Sequence, residues 1–159
     1  MPVTVRKGER RDAKTIAEFA LMLSEQHRGY DSERFIALMD FEGAIAFYGG
    51  RTETADAIIL IAEADGRPVG FAYLQYEVKN YADLLESAAW LHDLYIDESA
   101  RGTGAGKKLV EASVTAAREL GADKIILHAA SRNIHGVEFF EREGFRTTMV
   151  EMMLSIGPE

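Results

Sequence analysis

The segment Arg101-Gly102-Thr103-Gly104-Ala105-Gly106-Lys107 joins an apolar run, Leu94-Tyr95-Ile96, to a stretch with strong helical spacing. A strand that turns through glycines into a helix leaves the first backbone N–H groups of that helix without an intrahelical partner. With the positive end of the helix dipole, those donors make a site for pyrophosphate. Glycines let phosphate oxygens approach the backbone with no Cβ in the way. The loop is therefore expected to hold a phosphorylated cofactor. A P-loop would need glycine at Arg101 and Ser or Thr at Lys108. A dinucleotide fingerprint would need its third glycine at Lys107 and an early place in the chain. Neither fits, whereas Arg/Gln-x-x-Gly-x-Gly/Ala fits Arg101, Gly104 and Gly106 in register. Alone, the segment would also suit an ordinary glycine-rich turn.

A second segment runs Asn133-Ile134-His135-Gly136-Val137-Glu138-Phe139-Phe140-Glu141-Arg142-Glu143-Gly144-Phe145. It carries an Asn, six residues, then aromatic-Glu-x-x-Gly-Phe, filled by Asn133, Phe140, Glu141, Gly144 and Phe145. With Trp90-Leu91-His92-Asp93-Leu94-Tyr95-Ile96 ahead of both, these segments resemble the GNAT superfamily of N-acetyltransferases, most of all its polyamine-acetylating members. The resemblance extends over the chain and is strongest over residues 90–145. It implies an α/β fold with a mixed, mostly antiparallel central sheet of six to seven strands, a splayed central strand pair and about four flanking helices.

The resemblance also implies acetyl-CoA, or another acyl-CoA, as co-substrate. The pyrophosphate would rest on N–H groups of Arg101, Gly102, Thr103, Gly104, Ala105, Gly106 and Lys107. The amide-rich pantetheine arm would pair with the backbone of Leu94, Tyr95 and Ile96, as an added strand does. Asn133 and Phe140 would line the other side of the wedge. An amine attacking a thioester needs positioning, a donor to the developing oxyanion and a proton for the departing thiolate. A backbone N–H of the 94–96 strand would supply the oxyanion donor. No nucleophilic side chain is called for, in agreement with the absence of cysteine and of a Gly-x-Ser-x-Gly elbow.

An alkylamine of pKa about 10.4 needs roughly 4–5 kcal/mol to be neutral at pH 7, and a peptide α-amine only about 1 kcal/mol. A base therefore matters most for the first class. His92 is the residue expected to act as base, because imidazole titrates near neutrality and polyamine-type relatives carry a carboxylate at the matching position. The plainer alternative is a histidine packed beside Trp90. Strand alternation places Trp90, His92, Leu94 and Ile96 on one face and Leu91, Asp93 and Tyr95 on the other, which makes Asp93 structural. Many relatives have a tyrosine at Phe140 as the thiolate's acid; phenylalanine has no proton to give. His135 and Tyr95 are conceivable substitutes, as are water or unassisted departure. His27 would favour the dipole at a helix C-terminus and His128 would lie beside the core. The four histidines show no close ligand spacing, so no metal site is expected. Phe19, Phe35, Phe41, Phe47 and Tyr48 read mainly as core.

The elements that must position these groups follow from periodicity. A short strand is expected at residues 3–6. Asp12 is placed to cap a helix to about His27 that Gly29 stops. Ser32 would cap a second helix containing Phe35, Ile36, Leu38 and Met39, followed by a loop through Gly49-Gly50. A hairpin is expected over 57–62 and 69–77, turning at Asp65-Gly66-Arg67-Pro68. Residues 79–87 read as irregular. A strand at 90–96, a helix at 103–120 stopped by Gly121, a strand at 124–129, a helix at 133–143 and a strand or strand pair at 145–156 complete a mixed sheet.

With 159 residues, the chain reads as one domain spanning 1–159 that can bury roughly two-thirds of its unfolded surface. Lack of cysteine excludes disulfides and thiolate chemistry and is compatible with a cytoplasmic location. Neither a signal peptide nor a membrane span is expected. A net charge of −8 argues against a nucleic-acid partner and mildly favours cationic substrates. The leading expectation is an N-acetyltransferase acting on a primary amine of a small molecule. Acetylation of a protein or peptide amine, and a non-catalytic acyl-CoA sensor, remain open alternatives. The apolar tail Met149-Val150-Glu151-Met152-Met153-Leu154 would finish the core or join a homodimer contact.

Overall fold

The computed structural model describes residues 2–37 and 39–159. Its elements run β1 (Val3–Lys7), α1 (Ala13–Tyr30), α2 (Phe41–Arg51), β2 (Ala57–Ala64), β3 (Arg67–Glu77), β4 (Ala88–Ile96), α3 (Ala105–Glu119), β5 (Ile125–Ile126) and α4 (Ile134–Arg142), with short 3-10 turns ahead of α1 and α3. Five strands lie in the order β1-β2-β3-β4-β5. The first four pair antiparallel, and β4 pairs with β5 in parallel. The four helices and the mixed sheet agree with expectation; the six to seven strands do not.

The shortfall lies at the C-terminal end. Only Ile125 and Ile126 of the expected 124–129 strand pair as strand, in register with Ala89 and Trp90. Residues 145–156 form no strand, and Met149, Val150, Met152, Met153, Leu154 and Ile156 are exposed. They do not finish the core. Arg34 pairs with Glu151, and Ser155 bonds Glu33, so this segment lies beside the turn after α1.

The sheet separates two apolar clusters, and alternation along the strands sends neighbours to opposite faces. One face packs Leu60, Ala62, Leu74 and Leu91 against Leu109 and Ala116 of α3. The other packs Ile59, Ile61, Phe71 and Tyr73 against Ile16 and Phe19 of α1 and Tyr48 of α2. The first residues of β1 are tied in by Arg6, whose guanidinium donates to Asp12 at 2.8 Å and Glu63 at 2.7 Å. Asp12 sits at the start of α1 yet makes no side-chain bond to it; its carboxylate accepts from Arg6 and from the Glu9 amide.

The second helix is displaced from its expected place. Residues 32–37 form a turn and coil rather than a helix, and Leu38 lies outside the described residues. The helix instead begins at Phe41, capped by the Asp40 carboxylate, which accepts from the Gly43 amide at 2.7 Å. It runs through Gly49-Gly50, which had read as loop. Gly49 is buried there, and an added Cβ would come 3.3 Å from that of Ala13, so close contact with α1 outweighs low helix propensity. Likewise α1 passes through Gly29 to Tyr30.

Candidate active site

The loop before α3 has two glycines with positive φ, Gly102 at 75° and Gly104 at 87°. Gly104 is the N-cap residue, and no side chain caps α3. The first N–H groups of α3 are thus left to a ligand or solvent. A Cβ on Gly102 or Gly104 would meet nothing within 4 Å, so backbone conformation rather than space calls for glycine here. Thr103 Oγ1 donates to the Ala100 carbonyl at 2.5 Å, and Arg101 Nε to that of Ile96 at 3.3 Å. Lys107 is exposed. Uncapped donors, the helix dipole and two cations make a cradle that fits a pyrophosphate.

Next to this loop the sheet opens. Pairing of β4 with β5 stops at Trp90–Ile126, so no strand borders that edge of β4 from Leu91 onward. A cavity of about 160 Å³ fills the opening. Leu94, Tyr95 and Ile96 of β4, Leu127, His128 and Ala129, and Asn133 and Phe140 line it. So do Arg101 and, from α1, Leu23, Gln26 and His27. That volume suits the end of a ligand rather than a whole one, and an unpaired strand edge suits an amide-bearing chain. Asn133 caps α4, accepting from the Gly136 amide at 3.0 Å. A Cβ at Gly136 would overlap the Asn133 amide. Phe140 packs between Phe139 and Phe145.

The expected alternation along β4 fails at one residue. Tyr73 pairs with Asp93 and Leu74 with Leu91, so His92 is the extra residue of a β-bulge. A bulge shifts the phase of alternation. Leu91, Leu94 and Ile96 pack on the α3 side, while Asp93 and Tyr95 turn toward α1 and α2. His92 therefore does not share a face with Leu94 and Ile96. Its ring stacks on Trp90 at 6.0 Å and 13° and lies 5.5 Å from the ring of Tyr73. Its Nε2 is 2.7 Å from Glu77 Oε1. Because a carboxylate only accepts, His92 Nε2 carries a proton in that pair.

Asp93 accepts from the Tyr48 hydroxyl at 2.7 Å. Burial raises its carboxyl above the ordinary range, with Tyr48 and the nearby His92 and His27 pulling the other way. The Tyr48 hydroxyl is raised by burial and then by Asp93. Burial also pushes Tyr73 up to about 12.

Of the residues expected at the site, Leu94, Tyr95, Ile96, Arg101, Asn133 and Phe140 line the cavity with His92. Gly102, Thr103, Gly104, Ala105, Gly106 and Lys107 stand at the α3 N-terminus beside it. One histidine is differently placed from expectation. His128 is exposed, edge-on to Trp90 at 5.1 Å, and faces the cavity rather than the core. His27 also faces the cavity from the last turn of α1. Leu23, His27 and Tyr30 recur at helical spacing on one face, a signal the sequence did carry. His135 is exposed on α4 and does not line the cavity. The Tyr95 hydroxyl is turned to Met22 Sδ at 3.3 Å. Among the described residues, no group of three or more His, Cys, Asp or Glu is placed to hold a metal ion. No helix there is long and apolar enough to cross a membrane.

The acetyltransferase (GNAT) family profile matches residues 19–145, and the chain belongs to that family. It is an acyltransferase. An uncharacterized N-acetyltransferase, YhfO of Bacillus subtilis (strain 168), is 29% identical over 143 residues, covering 90% of this chain and 89% of the relative. Spermine/spermidine N(1)-acetyltransferase of the same organism is 32% identical over 83 residues, covering 52% of this chain and 55% of the relative. Among solved structures, a CoA complex of the aminoglycoside N-acetyltransferase AAC(6')-Iy shares the fold at a TM-score of 0.79 and 15% identity. That match covers 98% of this chain and 95% of the other. A variant of the BH1408 protein from Bacillus halodurans has a TM-score of 0.80 at 18% identity, covering 96% and 99%.

Proposed function

We propose that this chain transfers an acetyl group from acetyl-CoA to a primary alkylamine of a small cationic molecule, by direct attack of the amine on the thioester. The supporting observation is the open β4 edge beside the uncapped N-terminus of α3, with an aromatic wall bordered by a carboxylate next to it. Trp90 and the His92 ring stacked on it form an aromatic surface that Glu77 borders with a carboxylate. Such a surface attracts an ammonium through ring quadrupoles and charge. The pyrophosphate of the donor would lie on the α3 N-terminal amides and the pantetheine along Leu94, Tyr95 and Ile96. Bound acetyl-CoA supplies the activated acyl carbon; the chain's own groups orient it and move protons. His92, backed by Glu77, takes the first proton of the incoming ammonium. A β4 backbone N–H faces the developing oxyanion.

One observation favours a second reading, acetylation of a protein or peptide amine. Among the described residues of 27–50 and 78–88, only His27 lines the cavity, and an acceptor side left that open would admit a peptide. One assay separates these readings: CoA release from acetyl-CoA with polyamines, amino acids, aminoglycosides and short peptides. Turnover on polyamines or other small alkylamines, with His92→Ala losing about 100-fold or more in kcat, supports the proposal. Turnover on peptides alone supports the second reading. Saturable CoA binding with no turnover on any amine would mean a sensor, as Phe140 in place of a tyrosine would allow.

A further inference from the structure

We propose that His27 is a catalytic residue that carries the second amine proton to the departing CoA sulfur, the task Phe140 cannot perform. The proposal rests on the acetyl-transfer reading above. His27 Nδ1 lies 2.8 Å from the Leu23 carbonyl oxygen. A carbonyl oxygen only accepts, so Nδ1 bears the proton and the neutral ring keeps its lone pair on Nε2. The ring is held by Phe35 at 5.0 Å and 72° and by Tyr30 at 5.8 Å and 83°. It is half-buried and faces the cavity that Phe140, Asn133 and Leu94 also line. A stiff imidazole with one nitrogen tied to backbone and, among the described residues, no partner on the other is built to exchange a proton at that second nitrogen.

The other titratable residues of the cavity are less suited to this second proton. His92 Nε2 is bound to Glu77. His128 is exposed against Trp90 on the acceptor side. The Tyr95 hydroxyl is bonded to Met22, and burial raises it above the ordinary phenol value, which makes it a poorer acid. Arg101 keeps its charge at all working pH values.

The protons balance. His92 removes one proton from the ammonium and passes it to solvent. The amine nitrogen then forms a bond to the acyl carbon and still carries a proton it must shed. His27 Nε2 takes that proton. The C–S bond breaks, its electron pair goes to sulfur, and Nε2 returns the proton to sulfur. Nitrogen and sulfur are bonded to the same carbon, so one imidazole nitrogen reaches both.

Two measurements test this. The first needs no substrate: imidazole nitrogen-15 shifts of His27 in the full chain. A protonated Nδ1 and bare Nε2 are expected, and the opposite tautomer overturns the proposal. The second is acetyl transfer from acetyl-CoA to spermidine, or to whichever amine of the panel turns over. His27→Asn keeps a donor near the Nδ1 position and removes Nε2; His27→Gln serves if that variant does not fold. A loss of about 100-fold in kcat is expected, with at least ten-fold recovered when Phe140→Tyr is added to supply a phenol proton. Unchanged activity, or a loss that Phe140→Tyr does not relieve, overturns the proposal. A wild-type chain inactive on every amine overturns the acetyl-transfer reading and this proposal with it, whereas an active wild type with an equally active His27→Asn overturns this proposal alone.

Discussion

Gly104 shows how a single backbone angle conditions the donor site. At φ 87° any residue with a Cβ is strained by about 1–2 kcal/mol. Gly104→Ala is therefore expected to weaken CoA binding by roughly five- to thirty-fold with little change in kcat, measured by calorimetry and steady-state kinetics. Asp93 is a residue-scale liability of the opposite kind. Burial raises its carboxyl above the ordinary range, so the folded chain holds that proton more tightly than the unfolded one. The stability tied to this group is greatest below the unfolded value near ~3.9 and falls as pH rises through the raised folded value. Asp93→Asn keeps an acceptor for Tyr48 and removes the charge. It should melt higher than wild type at pH 7, with the difference shrinking toward pH 4, as thermal unfolding across pH would read.

The elements meet at a few close approaches. Gly106 lies in the first turn of α3, and a Cβ there would come 3.1 Å from Phe139 Cζ of α4. The bare position lets the Phe139 ring lie close against the start of α3. Gly106→Val should force them apart and cost about 1–3 kcal/mol as overpacking does, seen as a lower denaturation midpoint and a weaker affinity for CoA. The bulge in β4 is the other device at this scale. It turns Asp93 and Tyr95 toward α1 and α2 while Leu94 and Ile96 continue on the α3 face. Period-2 patterning cannot reveal it, because both registers place apolar residues on both faces. The misplaced second helix has a similar cause. Phe35 and Met39 stand at helical spacing, but the carboxylate that caps a helix here is that of Asp40, and burial of Gly49 against Ala13 comes from tertiary contact.

For the whole molecule, stability resides in the two clusters on either side of the sheet rather than in its surface pairs. Leu109, fully buried under the sheet, should lose about 2–5 kcal/mol on truncation to alanine. Arg34→Ala breaks the exposed pair with Glu151 that ties residues 145–159 to the turn after α1. It should leave the melting temperature nearly unmoved, since exposed ion pairs add little. Paired urea titrations of the two variants would read this contrast.

The sequence by itself determined the glycine loop and uncapped helix start that the proposed donor side rests on. Glycines at fixed spacing before a helix can be recognised because the constraint is local: backbone angles and uncapped amides depend on a few adjacent residues. The same holds for Asn133 capping α4 and for the long α3. Tertiary structure alone decided which other residues join the cavity. Leu23 and His27 are distant in sequence from Phe140, and only the packing of α1 across the open end of β4 brings His27 to the cavity that Phe140 lines. The phase of alternation at His92, the pairing of Glu77 with it and the two-residue length of β5 were equally out of reach. Each depends on which strand lies alongside and where that pairing stops, and such non-local contacts leave no periodic mark on the chain.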